Sequence, residues 1–212
     1  MRDHVSEPAL IWTGKAMLEG RLAIPHDCFA VAVLASVPTH PDGDRDEQLM
    51  DALFAVGVAT VYAPLLTEDE EQFDARTSHF RHDTELLAQR FMDVVDWVRR
   101  SRDLSALPLA LIGSSGAAAG AIAAAAMRPD LACAVISIDG RTDLAVEHLR
   151  ALRTPTLLIV KDMPVLRMNR EALTKIRGER RIEIVHGSVD GVVEKAMQWI
   201  ESNVSTLQLT AV

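Results

Sequence analysis

Cysteine is scarce, with only Cys28 and Cys133 in 212 residues. Both lie in or beside apolar runs, which excludes a disulfide-dense scaffold and reads as two reduced, buried thiols of a cytoplasmic protein. No cysteine or histidine spacing suits zinc, and no cofactor motif occurs, so cofactor-free chemistry is expected. No apolar run approaches the roughly 20 residues that a membrane-spanning helix needs. The opening, Met1 to Pro8, is polar and charged, unlike a signal peptide. An excess of positive charge is also missing. The formal net charge is −8, which argues against non-specific nucleic-acid binding. Internal repeats and linkers are absent, so one domain over residues 1–212 is expected.

What is present is a hydrophobic fraction of 49%, too high for a disordered chain. Ala9–Trp12 and Met17–Ile24 read as two strands turned at Thr13-Gly14. Ala30–Ser36, Val58–Ala63 and Leu109–Ile112 are continuous apolar runs, the pattern of strands buried on both faces of a parallel sheet. Ala132–Ile138, Thr156–Val160 and Arg181–Val185 extend the series. Leu49, Ala52, Leu53 and Val56 mark a helix that Gly57 ends, and Leu87, Phe91, Val94, Val95 and Val98 stripe a helix from about Asp83 to Arg100. Thr67–Asp74 reads as an acidic connection. Further helices are expected around 144–150, 169–176 and 192–202. Strands alternating with helices predict an α/β fold with a mostly parallel, doubly wound sheet, helices on both faces and an antiparallel pair at one edge.

The most informative segment is Gly113-Ser114-Ser115-Gly116-Ala117, between an apolar run and the Ala-rich stretch ending at Met127. Strand, tight turn with serine, then helix is the setting of a nucleophile elbow. It lifts the hydroxyl above the sheet edge and aims the helix N-terminus at a developing oxyanion. Ala117 stands where the second glycine of G-x-S-x-G belongs, adding one methyl at a close contact.

These residues carry a resemblance. Leu65-Leu66-Thr67-Glu68 with Asp74-Ala75-Arg76-Thr77, Gly113 to Asp130, Gly140-Arg141 with Asp143-Leu144-Ala145, and Pro155 to Val160 followed by Val165-Leu166 and Asn169-Arg170-Glu171-Ala172 resemble the dienelactone-hydrolase-like branch of the α/β-hydrolase superfamily, over nearly the whole chain. Related domains in that branch can be fused to a phosphoribosyltransferase domain, of which these 212 residues hold nothing. The resemblance implies an α/β-hydrolase fold and a serine hydrolase of small carboxylic esters or lactones, with a Ser-Asp-His triad working through an acyl-enzyme.

Residue by residue, Ser115 falls on the family nucleophile and Asp162 near the family acid. Asp139, ending the preceding strand, is the rival acid. The segment Gly187-Ser188-Val189-Asp190-Gly191, where relatives carry the catalytic histidine, contains none. His186 at the strand end is the nearest substitute, with His40, His79 and His82 as other imidazoles. Oxyanion donors would be the backbone N–H groups of Gly116 and of Ser36 or Val37, because Ala35-Ser36-Val37-Pro38 replaces the family's His-Gly. Arg76 and Arg81 are candidate contacts for an anionic substrate. A second function remains open, a catalytically degenerate relative serving as a binding or assembly module, since the departures fall at three catalytic loops. An edge strand or the exposed helices offer a surface for homodimerisation.

Overall fold

The structure, a computed structural model, describes residues 6–37, 43–161, 163–186 and 189–210. Eight strands form one sheet. In chain order they are β1 (Glu7–Trp12), β2 (Met17–Ala23), β3 (Ala30–Ser36), β4 (Val58–Pro64), β5 (Leu109–Ser114), β6 (Ala134–Ile138), β7 (Thr156–Val160) and β8 (Arg180–Ile184). The spatial order is β1-β2-β4-β3-β5-β6-β7-β8. β1 with β2 and β2 with β4 pair antiparallel, and every later neighbour is parallel.

The burial explains the pattern. All seven residues of β3 and all five of β6 and of β7 are buried, because helices cover both faces. On one face lie α3 (Thr84–Val98) and α4 (Ser115–Met127), packing Leu87, Phe91, Val94 and Val95 against the alanines of α4. On the other lie α1 (Gly43–Ala55) and α6 (Val189–Thr210), contributing Leu49, Leu53, Met197 and Ile200. Gly120 is required in α4, since a Cβ there would sit 2.7 Å from Leu87 Cβ. Gly57, with φ of +83°, closes α1 as the sequence predicts.

Two segments differ from the sequence reading. The acidic connection is a helix, α2 (Glu68–Thr77). Thr67 accepts a hydrogen bond from the Glu70 amide while Glu70 accepts from the Thr67 amide, a reciprocal capping box, and four acidic residues sit at the positive end of the helix dipole. Residues 144–150 do not form an α-helix. A 3-10 turn, Thr142–Ala145, is followed by further turns, and the next helix is α5 (Met163–Leu173).

Candidate active site

The turn between β5 and α4 positions the site. Ser115 has φ of +51°, a left-handed conformation that costs a non-glycine residue about 1–3 kcal/mol and persists where the surroundings enforce it. They do so here. A Cβ at Gly113 would lie 2.7 Å from Ala118 Cα, and one at Gly116 would lie 2.6 Å from the Arg81 carbonyl oxygen. The Ser115 carbonyl accepts a hydrogen bond of 3.0 Å from the Arg141 amide. Ser115 itself is exposed, at the start of a helix otherwise buried from Gly116 to Ala125. The Ser114 side chain does not cap the helix, and among the described residues the Gly116 and Ala117 amides donate to nothing. Those amides are free for an anion at the positive end of the helix. Ala117 is fully buried without abolishing this geometry.

Parallel strands bring the other candidates to the same sheet edge. Ala35 pairs with Gly113, so Ser36 and Val37 lie beside the elbow at the end of β3. The Ser36 and Tyr62 hydroxyls hydrogen-bond at 2.9 Å, and burial pushes the Tyr62 pKa up. The Ser36 carbonyl accepts from the Leu65 amide at 3.1 Å, which fixes the backbone there.

Asp139, at the end of β6, has φ of +46°, and its carboxylate accepts from the Lys161 amide at 2.6 Å with Lys161 Nζ 3.7 Å away. The rival acid is therefore engaged by the end of β7. Asp162 and His40 lie outside the described residues. His186 is exposed just after β8, and among the described residues it makes no hydrogen bond or ion pair; neither does the Ser115 hydroxyl. In strand order β8 is third from β5, roughly 14 Å at ordinary inter-strand spacing.

The side chains of the loop after α2 are arranged differently from the expectation. Arg81 is committed within the protein rather than offered to an anion. Its Nε donates to Asp74 Oδ2 at 2.5 Å, and Asp74 Oδ1 accepts the amides of Phe80 at 2.7 Å and Arg81 at 3.0 Å. Burial opposes the charge on Asp74, but these bonds outweigh it and hold its pKa below the ordinary carboxylate value. Asp74 thus fixes the segment whose Arg81 carbonyl presses on Gly116. Arg76 remains exposed, as do His79, edge-on to Phe80 with ring centroids 5.2 Å apart, and His82. Arg141 and Asp143 pair through two bonds of 2.9 and 2.8 Å beside the elbow. The Asp74 clamp carries no short-range sequence signal. The Thr67-x-x-Glu70 cap is such a signal, and it marks as a helix start the segment that the sequence reading gives as a connection.

Over 94% of its length the chain superimposes on 98% of a dienelactone hydrolase from Anabaena variabilis, with a TM-score of 0.87 and 32% identity. The chain belongs to the dienelactone-hydrolase family. No protein-family model matches it. An esterase domain from Rhodothermus marinus shares the fold over 94% of this chain and all of its own length, at a TM-score of 0.72 and 16% identity. Among curated proteins, one of Mycobacterium tuberculosis named "Putative phosphoribosyl transferase" is 34% identical over 200 residues. The match takes in 88% of this chain but only 43% of that protein.

Membership gives the fold. Within that frame, this dienelactone-hydrolase relative keeps the strained serine and the uncapped helix start. Among the described residues, no group of three or more His, Cys, Asp or Glu side chains is placed to hold a metal ion, and no helix is long and apolar enough to cross a membrane.

Proposed function

We propose that the protein is a serine hydrolase of small carboxylic esters or lactones, reacting through a Ser115 acyl-enzyme. One observation carries this reading. A serine is held at φ of +51° with its residue exposed, directly before helix amides that no described residue occupies. The Ser115 oxygen would attack the ester carbonyl, and its proton would pass to an imidazole, with His186 assigned as base and Asp162 as its orienting carboxylate. The Gly116 amide, with that of Ser36 or Val37, would stabilise the tetrahedral oxyanion. Collapse of that intermediate expels the alkoxide, which takes the proton from the imidazolium. Water then attacks the acyl-enzyme by the same steps. The transferase name belongs to a protein more than twice as long, so it is not carried onto this chain.

A second reading has its own support. Among the described residues no imidazole hydrogen-bonds the Ser115 hydroxyl, which favours a non-catalytic binding module on the same fold. Labelling with a fluorophosphonate probe separates the two. Labelling of the wild type but of neither Ser115→Ala nor His186→Ala supports the hydrolase and its base. Labelling that survives in His186→Ala reassigns the base, while a wild type that stays unlabelled beside a reactive control hydrolase sinks the acyl-enzyme reading.

A further inference from the structure

Five cationic side chains, Arg150, Arg153, Lys175, Arg177 and Arg180, line one open groove of about 860 Å3. Tertiary structure assembles it from two segments. The Gly178 amide donates to the Leu152 carbonyl at 3.2 Å, and a Cβ at Gly178 would lie 2.2 Å from the Arg153 carbonyl oxygen, so the two segments lie against each other. No carboxylate lines the groove, and among the described residues none of the five pairs with one. In a chain of net charge −8 this is a marked local reversal.

A groove of the opposite sign lies elsewhere. Glu19, Glu68, Asp69 and Glu71, with Met17 and Leu66, line a cavity of about 380 Å3. Burial, reinforced by the Glu68 charge, pushes the Glu71 pKa up, and among the described residues no cation pairs with any of the four carboxylates. The two sites are at diagonal corners of the sheet. The acidic one lies by β2 and the C-terminal end of β4, near one end of the strand order. The basic one lies at the N-terminal ends of β7 and β8, which close the other. They are roughly 30 Å apart across the strands, so one molecule cannot bring them together.

We propose that the basic groove docks the acidic corner of a second copy of this chain, giving a heterologous, head-to-tail association. Charge complementarity selects that occupant. The groove lining offers no aromatic ring for stacking bases, and the overall negative charge opposes a long polyanion such as nucleic acid. When each copy uses one patch per neighbour, the contact propagates into a ring or an open chain; a two-fold dimer would have to use both pairs of patches reciprocally. This inference is independent of Ser115 chemistry.

Sedimentation velocity of the full chain at 20 and 300 mM salt tests it, on the wild type, on Arg177→Glu/Arg180→Glu and on Glu19→Lys/Glu71→Lys, each checked for wild-type circular dichroism. The wild type associates at low salt and weakens by about tenfold or more at high salt. Each double variant alone is monomeric. Mixed in equal amounts, the two regain a one-to-one association, because the intact acidic corner of the first variant meets the intact basic groove of the second. A wild type that is monomeric at low salt overturns the proposal, including the case where heparin or an acidic peptide binds the groove instead. Salt-insensitive association, or variants that fail to rescue each other, overturns it too.

Discussion

Substituting Gly116→Ala tests how the elbow is held. The added Cβ would sit 2.6 Å from the Arg81 carbonyl oxygen, so that contact must open by about 0.8 Å to reach an ordinary separation near 3.4 Å. A backbone carbonyl yields less readily than a side-chain tip, and this one follows an amide gripped by Asp74. Overpacking of this kind costs about 1–3 kcal/mol. Removing a glycine from a helix returns roughly 0.5–1 kcal/mol. The expected net loss is about 1–2 kcal/mol, which for a chain of this size lowers Tm by about 2–8 °C. Calorimetry of the wild type, Gly116→Ala, Asp74→Ala and the double variant measures it. Releasing the loop with Asp74→Ala should make Gly116→Ala cheaper, with a coupling of at least about 0.5 kcal/mol. A Gly116→Ala protein as stable as the wild type, or strictly additive costs, would refute the view that Asp74 clamps the loop against the elbow.

Arg90 is buried and bridges the Leu65 carbonyl and both carboxylate oxygens of Glu70, the latter at 2.6 Å each. Arg90→Ala should cost about 3 kcal/mol in urea unfolding, with Arg90→Lys recovering only part because the two-pronged contact is lost. The pKa values of Asp74 and Glu70 are both lowered: burial opposes each charge, and for Glu70 the Arg90 hydrogen bonds prevail. Their stabilisation is present above the unfolded carboxylate value near ~4 and lost as pH falls through the lower folded values. Tm should therefore drop between pH 6 and pH 3, and Glu70→Gln and Asp74→Asn should flatten that limb; a level wild-type profile would contradict it. Burial raises the Cys133 pKa to about 11, so its thiol should resist iodoacetamide at pH 8 until the protein is unfolded, as read by mass spectrometry.

Much of the fold is local in origin and therefore legible. β3 and β7 read as uninterrupted apolar runs because both of their faces are covered, and burial on two faces leaves no polar alternation to detect. The α3 stripe repeats at helical spacing, and Gly57 marks the end of α1 at a positive φ. Weakly patterned segments were harder. α2 is almost entirely polar, so its hydrophobic periodicity is mute, and only the Thr67–Glu70 cap announces it. The Thr142–Ala145 region is half-apolar yet turns tightly, which composition does not distinguish from a helix.

The sequence by itself determined the elbow. Gly113, Ser115 and Gly116 fall within four consecutive residues, and the strained turn they make depends on small residues at fixed offsets along one stretch of chain. It also determined the buried strands, since hydrophobic burial is recorded residue by residue. Only the tertiary structure decided which charged groups meet. It tied Arg81 to Asp74 and Lys161 to Asp139, and it set Arg153 beside Gly178 so that five cations share one groove. It also left His186 exposed beyond β8. Coulomb and hydrogen-bond energies depend on distances of a few ångströms between residues far apart in sequence, and no local pattern encodes those distances.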